Sequence, residues 1–163
     1  MNIKFATEED IPLILQFIKE LADYEKLLHE VVATESLLKE NLFGKNKRAE
    51  VVFAYENEEP IGFALFFHHF SAFLGKPGIY LEDLYVKPSH RSKGIGQQLL
   101  AFLAHLAKER DCGRLEWRVL DWNRKAIDFY LKIGAIPMDE WTVFRVTGEA
   151  LDSLAGSNTI SPK

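Results

Sequence analysis

The chain has 163 residues, 47% of them apolar, enough for one domain that hides roughly two-thirds of its unfolded surface. No run of about eighteen apolar residues occurs, and the opening MNIKFATEED has neither a basic segment nor an apolar stretch, so a cytoplasmic protein without a membrane span is expected. The net charge of −4 argues against a general nucleic-acid binder and for a cationic partner, and the single cysteine, Cys112, excludes an internal disulfide.

IKFA reads as a short first strand. In TEEDIPLILQFIKELADYEKL, Ile11, Ile14, Leu15, Ile18 and Leu21 recur at helical spacing, and Thr7 with Asp10 offers a capping-box start. A short second helix is expected over 36–42. EVVFAYENEEPIGFALFFHHF holds two strand-like runs around the polar turn ENEEP, which predicts a hairpin. GIYLEDLYV is a further strand and KPSHRSK the loop after it. Ile95, Leu99, Phe102, Leu103 and Leu106 then mark a helix over 95–108. GRLEWRVLD predicts a strand, NRKAIDFYLKIGA a helix closed by Gly134, and EWTVFRVTG a last strand. The order predicts an α/β (α+β) fold whose central mixed, twisted sheet has about seven strands with helices on both faces. One domain is expected over 1–155, with a flexible tail at 156–163.

The stretch RSKGIG, 91–96, places glycines and two cations at the mouth of a helix. There the free backbone N–H groups and the helix dipole converge on an anion. Gly94 and Gly96 allow close approach, and Arg91 and Lys93 add positive charge. A P-loop would need Gly-Lys-Ser/Thr, which is absent, and a dinucleotide fingerprint would need a third glycine where Leu99 stands. From the loop alone, a plain turn before a helix remains open, and the flanks decide.

LEDLYVKPSHRSKGIGQQLL followed by LEWRVLDWNRKAIDFYLKIGA resembles the GNAT superfamily of acetyl-CoA-dependent N-acetyltransferases. Arg91, Gly94 and Gly96 match its Arg/Gln-x-x-Gly-x-Gly/Ala loop. IKELADYEKL, LFGKNKR and GKPGIYLEDLYV resemble the spermidine/spermine (diamine) acetyltransferase family, and VLDWNRKAIDFY is similar to its thialysine acetyltransferase branch. The likeness runs over roughly 3–155 and implies a homodimer using acetyl-CoA as cosubstrate. By the same resemblance the backbone of Leu84, Tyr85 and Val86 pairs with the pantetheine arm, and Ser92, Lys93, Gly94, Ile95, Gly96 and Gln97 supply amides to the pyrophosphate. Asn123 opens the next helix on the coenzyme side, beside Arg124, Lys125 and Ala126; Tyr130 matches the general acid. Tyr24, Glu25, Glu82 and Asp83 match positions that hold the cationic amine. SAFLGK departs from the family pattern, with Ser71 and Phe73 where an acidic residue and a tryptophan help hold a long polyamine.

The residues themselves support these roles. Acetyl transfer from a thioester to an amine needs a free-base nitrogen, an oriented carbonyl and a proton for the thiolate. Glu82 is the candidate base, with Asp83 or Glu25 as stand-ins; in a regular strand Glu82 and Asp83 face opposite sides unless a bulge intervenes. Tyr130 lies two helical turns after Asn123 on one face and can donate a phenolic proton. His68 and His69 alternate across a strand and make no metal pair, so no metal is expected. Phe63, Phe66, Phe67, Phe70 and Phe73 read mainly as sheet and core material. The expected activity is acetylation of a small diamine, polyamine or lysine-like amino acid. A protein lysine or N-terminal acetyltransferase and a non-catalytic acyl-CoA-binding module are the alternatives.

Overall fold

The structure is a computed structural model in which residues 1–157 are described. They divide into two compact units, one of Met1–Arg118 and one that begins at Val119. In the first unit, strands β1 (Asn2–Phe5), β2 (Glu50–Glu56), β3 (Glu59–Ser71), β4 (Lys76–Val86) and β5 (Leu115–Trp117) form one sheet in chain order. The first three junctions are antiparallel and β4–β5 is parallel, so the sheet is mixed, as expected. The ENEEP hairpin closes on Asn57 and Glu58, with φ of 49° and 67°, the left-handed pair that matches a two-residue turn to strand twist.

Helix α1 (Ile11–Tyr24) is preceded by Asp10, whose Oδ2 accepts from the Thr7 N–H at 2.7 Å and from the Thr7 hydroxyl at 3.0 Å. Its buried stripe is Ile11, Ile14, Phe17, Leu21 and Ala22, whereas Leu15 and Ile18 lie half-buried beside it. Ile14, Phe17 and Leu21 meet Phe53, Phe63 and Tyr85 on one face of the sheet. The Phe17 ring is edge-on to Phe53 at 5.5 Å and to Tyr85 at 5.9 Å. Burying one such ring contributes about 1.5–3 kcal/mol. Helix α2 (Glu35–Leu38) starts at Thr34, whose hydroxyl accepts from the Leu37 N–H at 3.2 Å, and it widens into a π turn over Lys39–Phe43 instead of remaining regular to 42. Helix α3 (Ile95–Glu109) covers the opposite face, with Leu99 and Leu103 fully buried and Phe102 against Phe5 at 5.9 Å. A Cβ on Gly62 would sit 3.0 Å from the Tyr85 carbonyl oxygen, so the close pairing of β3 with β4 favours glycine there.

The second unit holds α4 (Arg124–Lys132) and α5 (Gly148–Gly156). The Asn123 side chain caps α4 by accepting from the Ala126 N–H at 3.3 Å, and Gly134, at φ 89°, follows its end as expected. Three expectations need correction. Among the described residues the sheet has five strands, not about seven; β5 is confined to Leu115–Trp117; and no strand forms over 140–148, although EWTVFRV alternates. A strand persists only with a ladder partner, and the second unit has no other strand among its described residues. Helix α5 reaches Gly156 because GEALDSLAG is rich in helix formers, so the first residue of the expected tail closes a helix. The remainder of the expected tail, 158–163, lies outside the described residues.

Candidate active site

The site begins where β4 leaves β5. Pairing with β5 stops at Leu81↔Trp117, so from Glu82 onward β4 is hydrogen-bonded on its β3 side only, among the described residues. The β3–β4 register shifts at the same place. Leu65 pairs with Asp83 and Phe66 with Leu81, which leaves Glu82 as the extra residue of a β-bulge. The bulge breaks the alternation that would otherwise send Glu82 and Asp83 apart, and the two carboxylates share one electrostatic neighbourhood with Glu25, just past α1. Burial, then the charges of Glu82 and Glu25, push the Asp83 carboxyl up to about 7 against the opposing pull of Arg118. Burial also raises Glu25, again opposed by Arg118. Arg118 follows directly on β5 and donates from Nη2 to Glu82 Oε1 at 2.9 Å. It is the residue of this site that the sequence reading missed.

The loop after β4 is tied down at several points. Lys87 Nζ meets Glu59 Oε1 at 3.0 Å, and His90 Nε2 lies 3.6 Å from Glu56 Oε2, anchoring the loop to the β2–β3 turn. Arg91 Nε donates to the Val86 carbonyl at 2.9 Å, and its guanidinium lies 4.4 Å from the Tyr24 ring centroid and 5.3 Å from that of Tyr85. Arg91 therefore clamps the loop onto β4 and the end of α1 through stacking. Ser92 and Gly94 take left-handed backbone, with φ of 63° and 82°. Gly94 stands at the N-cap of α3, where it has no side chain to cap the helix, and the N–H groups of Ile95, Gly96 and Gln97 point ahead of the first turn. Nothing lies within 4 Å of where a Cβ on Gly96 would be, so the protein's own packing does not demand glycine there. The Ile95 side chain is buried, which leaves its backbone as its contribution; Ser92, Lys93 and Gln97 are exposed. Leu84, Tyr85 and Val86 lie on the segment of β4 that β5 leaves open, with Tyr85 buried against Phe17.

In the second unit Arg124 and Lys125 occupy the first turn of α4, which carries no acidic residue. Two cations there oppose the helix dipole, an arrangement an anion would offset. Ala126 provides the N–H that Asn123 caps. Tyr130 sits seven residues after Asn123 on the same helix, with its ring 5.5 Å from Phe129.

Other residues fall outside this chemistry. Ser71 is buried and its hydroxyl accepts from the Leu74 N–H at 3.2 Å, so it caps the β3–β4 turn; Phe73, at 94% exposure, stands on the tip of that turn. His68 lies beside the Arg110–Glu50 pair, and His69 lies against Tyr80 with Glu116 Oε2 3.9 Å away. Among the described residues no group of three or more His, Cys, Asp or Glu is placed to hold a metal ion, and no helix is long and apolar enough to cross a membrane.

The pairing of β4 with β5 thus ends at a bulge, in the same unit as an uncapped helix opened by glycines. The Acetyltransferase (GNAT) family profile matches residues 15–135, and the chain belongs to that family. It is 38% identical to thialysine N-epsilon-acetyltransferase of Sus scrofa, over 94% of this chain and 96% of that protein. It is 34% identical to L-ornithine N5-acetyltransferase NATA1 of Arabidopsis thaliana, over 94% of this chain and 87% of that protein. An integron cassette protein from the mobile metagenome of V. cholerae superposes with a TM-score of 0.80 at 31% identity, covering 96% of this chain and 98% of that one. The chain is thus an enzyme of the N-acetyltransferase class.

Proposed function

We propose that the protein transfers an acetyl group from acetyl-CoA to a primary amine of a small cationic molecule, a diamine, polyamine or lysine-like amino acid, by direct attack. The observation that carries this reading is the bulge at Glu82, which places a set of carboxylates where β4 becomes free of β5. The residues fit the cosubstrate. The uncapped amides of Ile95, Gly96 and Gln97 suit a pyrophosphate, helped by Lys93 and Ser92. The edge of β4 that β5 leaves open over Leu84, Tyr85 and Val86 offers alternate backbone groups to an amide-bearing arm, with the Val86 carbonyl already accepting from Arg91 Nε. Asn123, Arg124, Lys125 and Ala126 take the coenzyme role the family resemblance gives them. The family profile crosses the junction at 118/119, which supports one functional domain over 1–155. A cytoplasmic homodimer completes the reading, on resemblance alone.

Acetyl-CoA supplies an activated thioester carbonyl. An alkylammonium keeps its proton to a pKa near 10.4, so a base must take it at neutral pH. Glu82 and Asp83 form the accepting pair, and Asp83, with its carboxyl at about 7, is the better matched to hold that proton. The freed nitrogen attacks the carbonyl, the C–S bond breaks, and the Tyr130 hydroxyl gives its proton to the departing sulfur. Tyr24 and Glu25 attract and position the cation. The test is thiol release from acetyl-CoA with putrescine, spermidine, thialysine, ornithine, lysine and a lysine-containing peptide. Release with one class of small amine supports the reading, and Tyr130→Phe then lowers kcat by about ten- to ten-thousand-fold while coenzyme affinity holds. Acetylation of the peptide alone, or bound acetyl-CoA with no release, overturns it in favour of a protein acetyltransferase or a binding module.

A further inference from the structure

Arg118 is an anomaly in a site built to receive a cation. Its neighbours Glu25, Glu82 and Asp83 attract an ammonium group, yet a guanidinium on the exit of β5 is held among them by one hydrogen bond to Glu82. That bond uses Nη2, and the side chain remains 49% exposed, so the fork of N–H donors is not enclosed by the fold. A cation here weakens capture of a simple diamine, because it offsets one of the three acids. A substrate that also carries a negative group turns that cost into a gain.

We propose that Arg118 is a specificity-determining residue that binds the α-carboxylate of the acceptor, so that the preferred substrates are amino acids bearing a side-chain amine and not diamines or polyamines. A planar guanidinium matches a carboxylate through paired N–H donors, which a point charge does not reproduce. The other end of the sheet agrees. The β3–β4 turn presents a buried Ser71 engaged with its own backbone, an exposed Phe73, and Lys76 paired with Asp111, and so offers no free carboxylate to the distal ammonium of a polyamine. Arg118 lies thirty-six residues from Glu82 in sequence, which is why only the folded sheet exposes the pairing.

This inference rests on the acetyl-transfer reading, and the experiment separates the two. Wild type, Arg118→Leu and Arg118→Lys are assayed with lysine, ornithine and thialysine, each as free acid and as carboxamide, and with cadaverine. The carboxamide keeps size and amine but loses the anion. Wild type is expected to favour the acids, and Arg118→Leu to lower the acid-to-amide ratio of kcat/KM by about 10- to 100-fold, the worth of a charge-assisted bond. Arg118→Lys recovers part of the ratio. An unchanged ratio in Arg118→Leu, with all rates falling together, overturns the proposal and leaves acetyl transfer standing. A wild type inactive on every amine overturns both.

Discussion

At the scale of single residues the most perturbed group of the candidate site is Asp83. Its carboxyl is raised to about 7, chiefly by burial and then by Glu82 and Glu25. If Asp83 is the base of the proposed reaction it must be ionised, so kcat/KM is expected to rise with pH through about 7. Asp83→Asn removes that limb of the profile and lowers kcat/KM by about 10²- to 10⁴-fold. A mutant that keeps the limb shows that another group carries it. Stability gives a second readout. A carboxyl raised above its unfolded value binds its proton more tightly in the folded state, so wild type loses stability as pH climbs from about 4 to about 7 and stays penalised above. Asparagine carries no such penalty. The Tm advantage of Asp83→Asn is therefore expected to be small at pH 4 and to reach several degrees at pH 8; a pH-independent difference contradicts the burial argument. The string LED makes both acids legible in the sequence. The family resemblance grouped them, but the spacing alone did not, because the grouping depends on a bulge set by the register against β3; Arg118, arriving from β5, left no signal.

At the scale of elements, the loop from Lys87 to α3 separates folding from binding. Gly94 needs its left-handed φ of 82°, so any replacement there strains the backbone as well as crowding the helix mouth. Gly96 is different. It is helical, with open space where its side chain would point, and glycine inside a helix costs up to about 1 kcal/mol relative to alanine. Gly96→Leu is therefore expected to preserve or raise Tm while weakening acetyl-CoA by about tenfold or more, the loss of one charge-assisted contact. Calorimetric affinity equal to wild type removes Gly96 from the phosphate cradle. Elements with strong local signals were legible in this way: α1 and α3 through their apolar stripes, the β2–β3 hairpin through ENEEP, and α4 through Asn123 and Gly134. The expected strand over 140–148 had the alternation of a strand and no ladder partner within its unit. Helix α5 had the propensity of a helix and was hidden behind a small, polar terminus. Arg91 was read as a phosphate cation from its place in RSKGIG, and the structure adds a second role for it, with Nε donating to the Val86 carbonyl and the guanidinium against Tyr24 and Tyr85. A stacking partner sixty-seven residues away in the chain, Tyr24, leaves no trace in a loop motif.

At the scale of the whole molecule, composition excluded more than it assigned: the charge of −4 is compatible with a cationic acceptor but does not name one. Membership of the acetyltransferase family, over 15–135, bears more directly on how the chain behaves as a unit. That span takes in the α3 amides of the first unit and the cationic first turn of α4 in the second. A ligand that binds only the folded chain stabilises it by about 2.7 kcal/mol at a hundred times its Kd, and in a chain of this size each kcal/mol moves Tm by about 2–4 °C. Acetyl-CoA at that concentration is therefore expected to raise the melting temperature by about 5–10 °C. If both sets of residues carry coenzyme roles, Gly94→Val and the double variant Arg124→Ala/Lys125→Ala each shrink the shift, although the positions belong to different units. A shift that survives the Arg124/Lys125 change in full confines coenzyme binding to the α3 loop and removes α4 from it. No shift at all, under conditions where the unliganded protein melts cooperatively, denies the coenzyme itself.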